Sequence, residues 1–200
     1  MKPLDIVLDY INRGWRPIPV HYETKQPIPK DWTQLRISQD TAAQQFTDEK
    51  SNVGILLGDP SGGLVDIDLD CPEAIRLAQH FLPSTLCFGR KSKPRSHWLY
   101  VCQPPPETEK FADDANGMLL ELRATGCQTV FPGSVHPSGE RIRWEAPEEA
   151  QPYLIKADDL QNAARRLAAA ALLLQDWRQG SRDDIATALC GGLLRDGWEP

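Results

Sequence analysis

The chain has 200 residues and a mass of 22.4 kDa, with 40% hydrophobic and 25% charged residues, which excludes general disorder and leaves apolar matter for one ordinary core. No apolar run approaches the roughly 18–20 residues that span a bilayer, and the opening MKPLDIVLDY carries acids where a signal peptide is apolar, so no membrane partner and a cytoplasmic location are expected. The net charge of −6 falls entirely in the second half, residues 1–100 holding 12 basic and 12 acidic side chains and residues 101–200 holding 10 and 16, a balance that argues weakly against a simple nucleic-acid binder.

A helix is predicted over residues 4–12, where Ile6, Val7, Tyr10 and Ile11 share a face and Gly14 ends the turn. Residues 15–20 (WRPIPV) read as a short strand placed near an edge by its prolines, and residues 23–32 as loop. Ser38 is an N-cap for a helix through Phe46. Residues 52–57 and 64–69 are β-rich and flank the turn 58–63, so they read as a hairpin with a longer loop. Pro72 suits the first turn of a helix to about Phe81. Strands are expected at 85–88, 97–102, 118–122, 129–131 and 141–144, with Pro104, Pro105 and Pro106 as an exposed connection. From Ala157 the chain turns alanine- and leucine-rich, with helices predicted over 158–175 and 182–194. The expected organisation is a main domain over 1–155 and a helical segment over 156–200. The stop at residues 197–200, directly after a helix, is what a piece of a longer protein would have.

Cys71, Cys87, Cys102, Cys127 and Cys190 are odd in number, scattered, and free of any CxxC pair. Neither a disulfide framework nor a structural zinc site is expected. The thiols read as reduced, small apolar groups.

Three segments carry chemistry. In Gly63–Asp70 (GLVDIDLD) the strand period of two puts Asp66, Asp68 and Asp70 on one face and Val65, Ile67 and Leu69 on the other. Three like charges on one strand face repel, and a hard divalent cation is the natural offset; a solvated face with fortuitous acids is the alternative. Such a cluster counts as acidic in the sequence and is neutral in the working protein. Next, Arg90, Lys91, Lys93 and Arg95 run into a strand bearing Ser96 and His97, a basic loop of the kind that binds outer phosphate oxygens or merely faces solvent. Trp98 and Tyr100, on that strand, are read as core. The third segment sets Glu121 between Leu120 and Leu122, then Arg123, then Ser134 and His136 on a Pro/Gly-rich turn.

In this order the segments resemble the primase–polymerase (prim-pol) family of the archaeo-eukaryotic primase superfamily. Its acidic DxD or DxE motif, its sxH motif, its third acid and its R…G…P(P/G)SxHPSG…W stretch have counterparts in Asp66–Asp70, Ser96-His97, Glu121, and Arg123 through Pro132-Gly133-Ser134-Val135-His136-Pro137-Ser138-Gly139 to Trp144. Gly14 to Pro19, then Lys25, Pro27, Lys30 and Trp32, look like the family's N-terminal block, and the Asn52–Gly58 stretch fits as well. The resemblance covers about residues 5–145. Glu121 stands where aspartate is frequent. The run Asp68-Leu69-Asp70-Cys71-Pro72-Glu73 matches the family's DxDxPE spacing, which favours Asp68 and Asp70 as ligands with Asp66 beside them; Asp66-Ile67-Asp68 fits one step earlier, so the register stays open.

The resemblance implies an α/β (α+β) fold with an archaeo-eukaryotic primase-like core, an RRM-like antiparallel sheet and a C-terminal helical segment. It makes 1–155 a catalytic domain for template-directed nucleotidyl transfer, a DNA primase or polymerase in replication of a mobile element, phage or plasmid. Two Mg²⁺ or Mn²⁺ ions on Asp66, Asp68, Asp70 and Glu121 are implied. His97, with Ser96, Ser134 and His136, is expected at the nucleotide, and Arg123, Lys91, Lys93 and Arg95 at phosphates or template. The partners implied are a single-stranded DNA template, an NTP or dNTP, and a fused or separate helicase. Residues 177–184 resemble the start of a helical module that follows prim-pol domains; a helical pair covering core surface is the other reading of 157–195. The competing function is a non-catalytic nucleotide or single-stranded DNA-binding module of a replication initiator. A metal nuclease or rolling-circle initiator is disfavoured, since no HxH pair occurs.

Overall fold

The computed structural model describes residues 3–115, 117–145, 150–177 and 182–195. Residues 178–181, half of the module start expected over 177–184, and residues 196–200 lie outside the described residues. Along the described chain run α1 (Pro3–Asn12), β1 (Arg16–Val20), α2 (Gln39–Gln45), β2 (Asn52–Leu56), β3 (Leu64–Leu69), α3 (Pro72–Phe81), β4 (Cys87–Arg90), β5 (Lys93–Val101), β6 (Glu109–Asp113), β7 (Gly117–Arg123), β8 (Gln128–Val130), β9 (Arg143–Trp144), β10 (Tyr153–Leu154), α4 (Ala157–Asp176) and α5 (Arg182–Arg195). This is the mixed α/β class with antiparallel sheets that the sequence predicts.

Helix boundaries follow their local chemistry. Gly14, at φ 82°, ends α1, its N–H bonding Ile11 O. Ser38 precedes α2 as predicted, its N–H donating to Thr41 Oγ1 at 3.0 Å. Pro72 opens α3 behind Cys71, whose Sγ accepts the Ala74 N–H at 3.4 Å.

The strands form two sheets. A three-stranded sheet has the order β1-β2-β8, which puts the proline-bearing β1 at an edge; the larger one runs β6-β7-β3-β5-β4-β9 with β10 beside β5. All named pairings are antiparallel except that of β10 with β5. The predicted hairpin of residues 52–57 with 64–69 does not form. β2 pairs β1 and β8 in the small sheet, β3 pairs β5 and β7 in the large one, and a single bridge, Gly58 to Leu64, joins the two. Gly58 makes this corner at φ 74°, where a Cβ would meet Thr125 backbone and side-chain atoms at 2.0–2.5 Å. Two β-rich runs about a glycine turn identify strands but not their partners. Neither β6 (EKFAD) nor β10 (two residues) was predicted, since neither has an apolar alternation to read.

One face of the large sheet gives Val65, Ile67, Leu69, Trp98, Tyr100, Leu120 and Leu122 to a core closed by α3 and α4. Helix α4 supplies Leu160, Ala164, Leu167, Ala168 and Ala171, all buried, so α4 covers core surface. Each leucine sealed there contributes about 1.5–3 kcal/mol. The opposite face gives Leu64, Phe88 and Leu99 to a second core shared with α1, α2 and the small sheet. Among the described residues no helix is long and apolar enough to cross a membrane.

Candidate active site

Register, more than spacing along the chain, brings the charged residues together. With Val65, Ile67 and Leu69 turned into the helix-covered core, Asp66 and Asp68 face the side half-covered by the small sheet. Asp68 stands opposite Glu121 of β7 and opposite His97 of β5, so the three form one row across adjacent strands. Asp66 stands opposite Arg123 in the next row. Asp70 lies just past the end of β3, its N–H held by Leu119 O at 2.8 Å. One carboxylate oxygen from each of Asp68, Asp70 and Glu121 lies within 4.8 Å of the others. Asp68 is buried, Glu121 half-buried and Asp70 exposed.

Like charges directly opposite on neighbouring strands are destabilising, and cations answer each of these acids. Arg123 approaches Asp68 at 3.5 Å and Glu121 at 3.6 Å, Lys93 pairs Asp70 at 3.1 Å, and Lys110 pairs Glu121 at 3.1 Å. Three oxygen donors from two segments, the end of β3 and β7, suit a hard cation such as Mg²⁺ or Mn²⁺, whereas the described chain brings no Cys or His into the group, as a soft-metal site would.

Asp66 is set apart from that group. It is fully buried, accepts from Thr129 Oγ1 at 2.7 Å, and its Oδ2 lies 3.0 Å from His97 Nδ1. Burial alone would raise its pKa, but His97, Arg123 and Thr129 together hold it below the ordinary carboxylate range. Its oxygens are taken by protein donors, the His97 ring among them, and it stands outside the three-oxygen group. His97 is pulled down by burial and raised further by Asp68 and Asp66, for a net rise above its ordinary value. Phe88 stacks on the imidazole at 4.6 Å and 13°. Nδ1 donates to Asp66, which leaves Nε2 for the cavity.

That cavity, about 480 Å³, lies between the two sheets. Asp68, Asp70 and Glu121 line one side; Lys25, Arg90, Lys93, His97 and His136 also line it, with Ser96, Gln128 and Thr129. Ser96 Oγ and Gln128 Oε1 are buried without a hydrogen-bond partner among the described residues, hydrogen-bonding capacity that a ligand would use. His136 is held below its ordinary pKa by burial and by the nearby Arg90, Lys25 and Lys93.

Of the other predicted site residues, Arg123 lines the cavity with its guanidinium already engaged, donating to Gln128 O at 2.6 Å and Thr129 Oγ1 at 3.1 Å. From the cavity wall it braces carboxylates and β8. Ser134, Lys91 and Arg95 do not line the cavity. The Ser134 hydroxyl is buried and accepts the Val53 N–H at 2.9 Å, stitching the turn to the small sheet. The β4–β5 bulge and the φ of 48° at Arg95 turn its guanidinium over Trp98, 4.9 Å from the ring. Trp98 and Tyr100 are buried, as predicted. Sequence reasoning missed Lys25, Gln128 and Thr129 as cavity residues, whereas Arg90 belongs to the basic loop it read for phosphate oxygens. Lys25 was visible only as part of a loop in the family-like N-terminal block, and Thr129 only as part of a short strand.

Glu140 assembles the basic wall. Its carboxylate accepts from the Ser92 N–H at 2.8 Å, Ser92 Oγ at 2.5 Å and Ser138 Oγ at 3.0 Å, and lies 3.3 Å from Arg90 Nε. Ser138 in turn holds His136 Nδ1 at 2.9 Å. For the nucleotide that the sequence resemblance implies, the Glu140→Ala variant is expected to raise KM by roughly tenfold with little change in kcat, since it frees Arg90 and the 91–94 turn. Steady-state kinetics at saturating template check this; an unchanged KM rules the bracing role out.

Among curated proteins, none matches the chain. The model of the Prim-Pol family, described as bifunctional DNA primase/polymerase, N-terminal, matches residues 7–163, from within α1 to the second turn of α4. The chain therefore belongs to the Prim-Pol family of bifunctional DNA primase/polymerase N-terminal regions.

Proposed function

We propose that this domain carries out template-directed nucleotidyl transfer: a 3′-hydroxyl, or an initiating nucleotide, attacks the α-phosphate of an incoming NTP or dNTP, forming a P–O bond as pyrophosphate leaves. The observation that carries this reading is a single cavity in which Asp68, Asp70 and Glu121 face Lys25, Arg90, Lys93 and His97. Carboxylates alone suit a cation and basic side chains alone suit an anion; the two together suit a metal-bound triphosphate.

Asp68, Asp70 and Glu121 are the residues that would hold Mg²⁺ or Mn²⁺. When bound, a pair of such ions supplies Lewis acidity to the triphosphate and acidifies the attacking hydroxyl. The chain's own part is positioning. Lys25, Arg90 and Lys93 neutralise the outer phosphate oxygens, and His97 Nε2 and the free Ser96 hydroxyl take further polar contacts. Arg123 keeps Asp68 and Glu121 together against their repulsion. The family resemblance supports a setting in replication of a mobile element, phage or plasmid, on single-stranded DNA and beside a helicase.

Because each acid of the group already has a protein cation nearby, a non-catalytic nucleotide-binding module is the second reading. Incubation with primed single-stranded template, labelled dNTPs or NTPs and Mn²⁺ or Mg²⁺ separates them. The expected result is elongated product that disappears with EDTA and returns with added metal. Nucleotide retained without incorporation in either metal would establish the binding module instead.

A further inference from the structure

Arg90 has a second neighbourhood. On its side away from the acids a groove of about 510 Å³ runs between the β4–β5 turn and β9, and Arg90 lines both it and the cavity. Its charged lining is Arg90, Lys91, Arg141 and Arg143 against Glu140 and Glu145. Glu140 is consumed by Ser92, Ser138 and Arg90. Lys91, Arg141 and Arg143 are all exposed, and none forms an ion pair with a described carboxylate, whereas Arg13, Arg90, Lys93, Lys110, Arg123 and Arg165 each do. In a chain of net charge −6, three cations with no ion-pair partner among the described residues, set beside one carboxylate, Glu145, leave this groove net positive and suit an anion. The groove is open, and it meets the cavity at the cavity's basic wall. Tyr22, 42% exposed, lies within electrostatic reach of Arg141 and offers a ring to an unstacked base.

We propose that this groove is the track along which single-stranded nucleic acid reaches the cavity, its backbone phosphates lying on Lys91, Arg141 and Arg143. A continuous polyanion fits better than a compact one, because the cations extend away from the cavity while Lys25, Arg90 and Lys93 already serve a triphosphate inside it. The inference rests on the nucleotidyl-transfer reading and says which surface the template takes.

The test is binding of a fluorescently labelled single-stranded oligodeoxynucleotide of about 20 nucleotides, followed by anisotropy across a salt series. The triple variant Lys91→Ala, Arg141→Ala, Arg143→Ala is expected to bind at least about tenfold more weakly at low salt, with the slope of log K against log salt shallower by about 2, because three phosphate contacts are lost. Its KM for the incoming nucleotide at saturating template stays within about twofold of wild type, since no substituted residue lines the cavity. The charge-keeping variant Lys91→Arg, Arg141→Lys, Arg143→Lys retains the wild-type slope. An unchanged slope and affinity in the alanine variant overturns the track while leaving the catalytic reading intact. So does a rise in nucleotide KM with DNA binding preserved, which gives the groove to a second nucleotide's phosphates. A wild-type protein that binds no single strand removes the template-directed reading and the track together.

Discussion

The double variant Asp68→Ala, Asp70→Ala is expected to lose template-directed incorporation by about a thousandfold or more, with its melting temperature close to that of wild type. The two halves of this expectation come from different parts of the structure. Activity falls because two of the three converging oxygen donors are gone, and Glu121 alone, itself paired with Lys110 and Arg123, makes no chelating set. Stability persists because Asp68 and Asp70 add little to the core. Asp70 is exposed, and its pair with Lys93 is of the surface kind worth about 0–1 kcal/mol. Removing Asp68 relieves its repulsion against Glu121, and the groups it pairs keep nearer partners: Arg123 still donates to Gln128 and Thr129, and His97, 3.6 Å from Asp68, keeps Asp66 at 3.0 Å. Incorporation assayed in Mg²⁺ and Mn²⁺, beside a thermal melt, reads both. A double variant that still extends primers at near wild-type rate refutes the assignment of these acids, whatever its stability.

The alternation Asp66-Ile67-Asp68 with its apolar partners was enough to read a strand with one charged face, because a period of two is a local property. What each charge meets depends on non-local pairing. Strand order and register put Glu121 opposite Asp68 and Arg123 opposite Asp66, and nothing within either segment specifies that. The same limit explains the missed hairpin: β2 and β3 are separated by a short turn yet join different sheets. Lys25 and Gln128 reach the cavity only because the small sheet folds over the large one, bringing the loop before α2 and strand β8 to the acids. Conversely, Ser134 and Arg95 looked chemical in sequence and are held elsewhere by a backbone bond and by a bulge. Helices were read closely, α3 starting at Pro72 as expected, because caps and prolines act within one turn.

Asp66 is where local reading and packing disagree most, and its substitution is the sharper test of the two roles an aspartate in this strand can have. The Asp66→Ala variant is expected to lose about 3 kcal/mol, a melting temperature roughly 6–12 °C lower for a chain of this size. Its carboxylate is fully buried and answers His97, Thr129 and, across the register, Arg123. Deleting it takes the acceptor from the buried Thr129 hydroxyl and leaves His97 Nδ1 with only the more distant Asp68 Oδ1 at 3.6 Å, and removing one partner of a buried pair is costly for that reason. A metal ligand behaves in the opposite way. In metal-free protein, losing one member of a mutually repelling group is neutral or stabilising, as expected for Asp70→Ala. Melts of both variants in EDTA therefore separate the roles by sign. A fall for Asp66→Ala with none for Asp70→Ala makes Asp66 the residue that holds the His97 ring, whereas an unchanged or raised melting temperature for Asp66→Ala returns it to the cation-binding set. In the first case a double-mutant cycle with His97→Ala gives a coupling above about 1 kcal/mol, because once the imidazole is gone the carboxylate has lost the partner it was buried to orient.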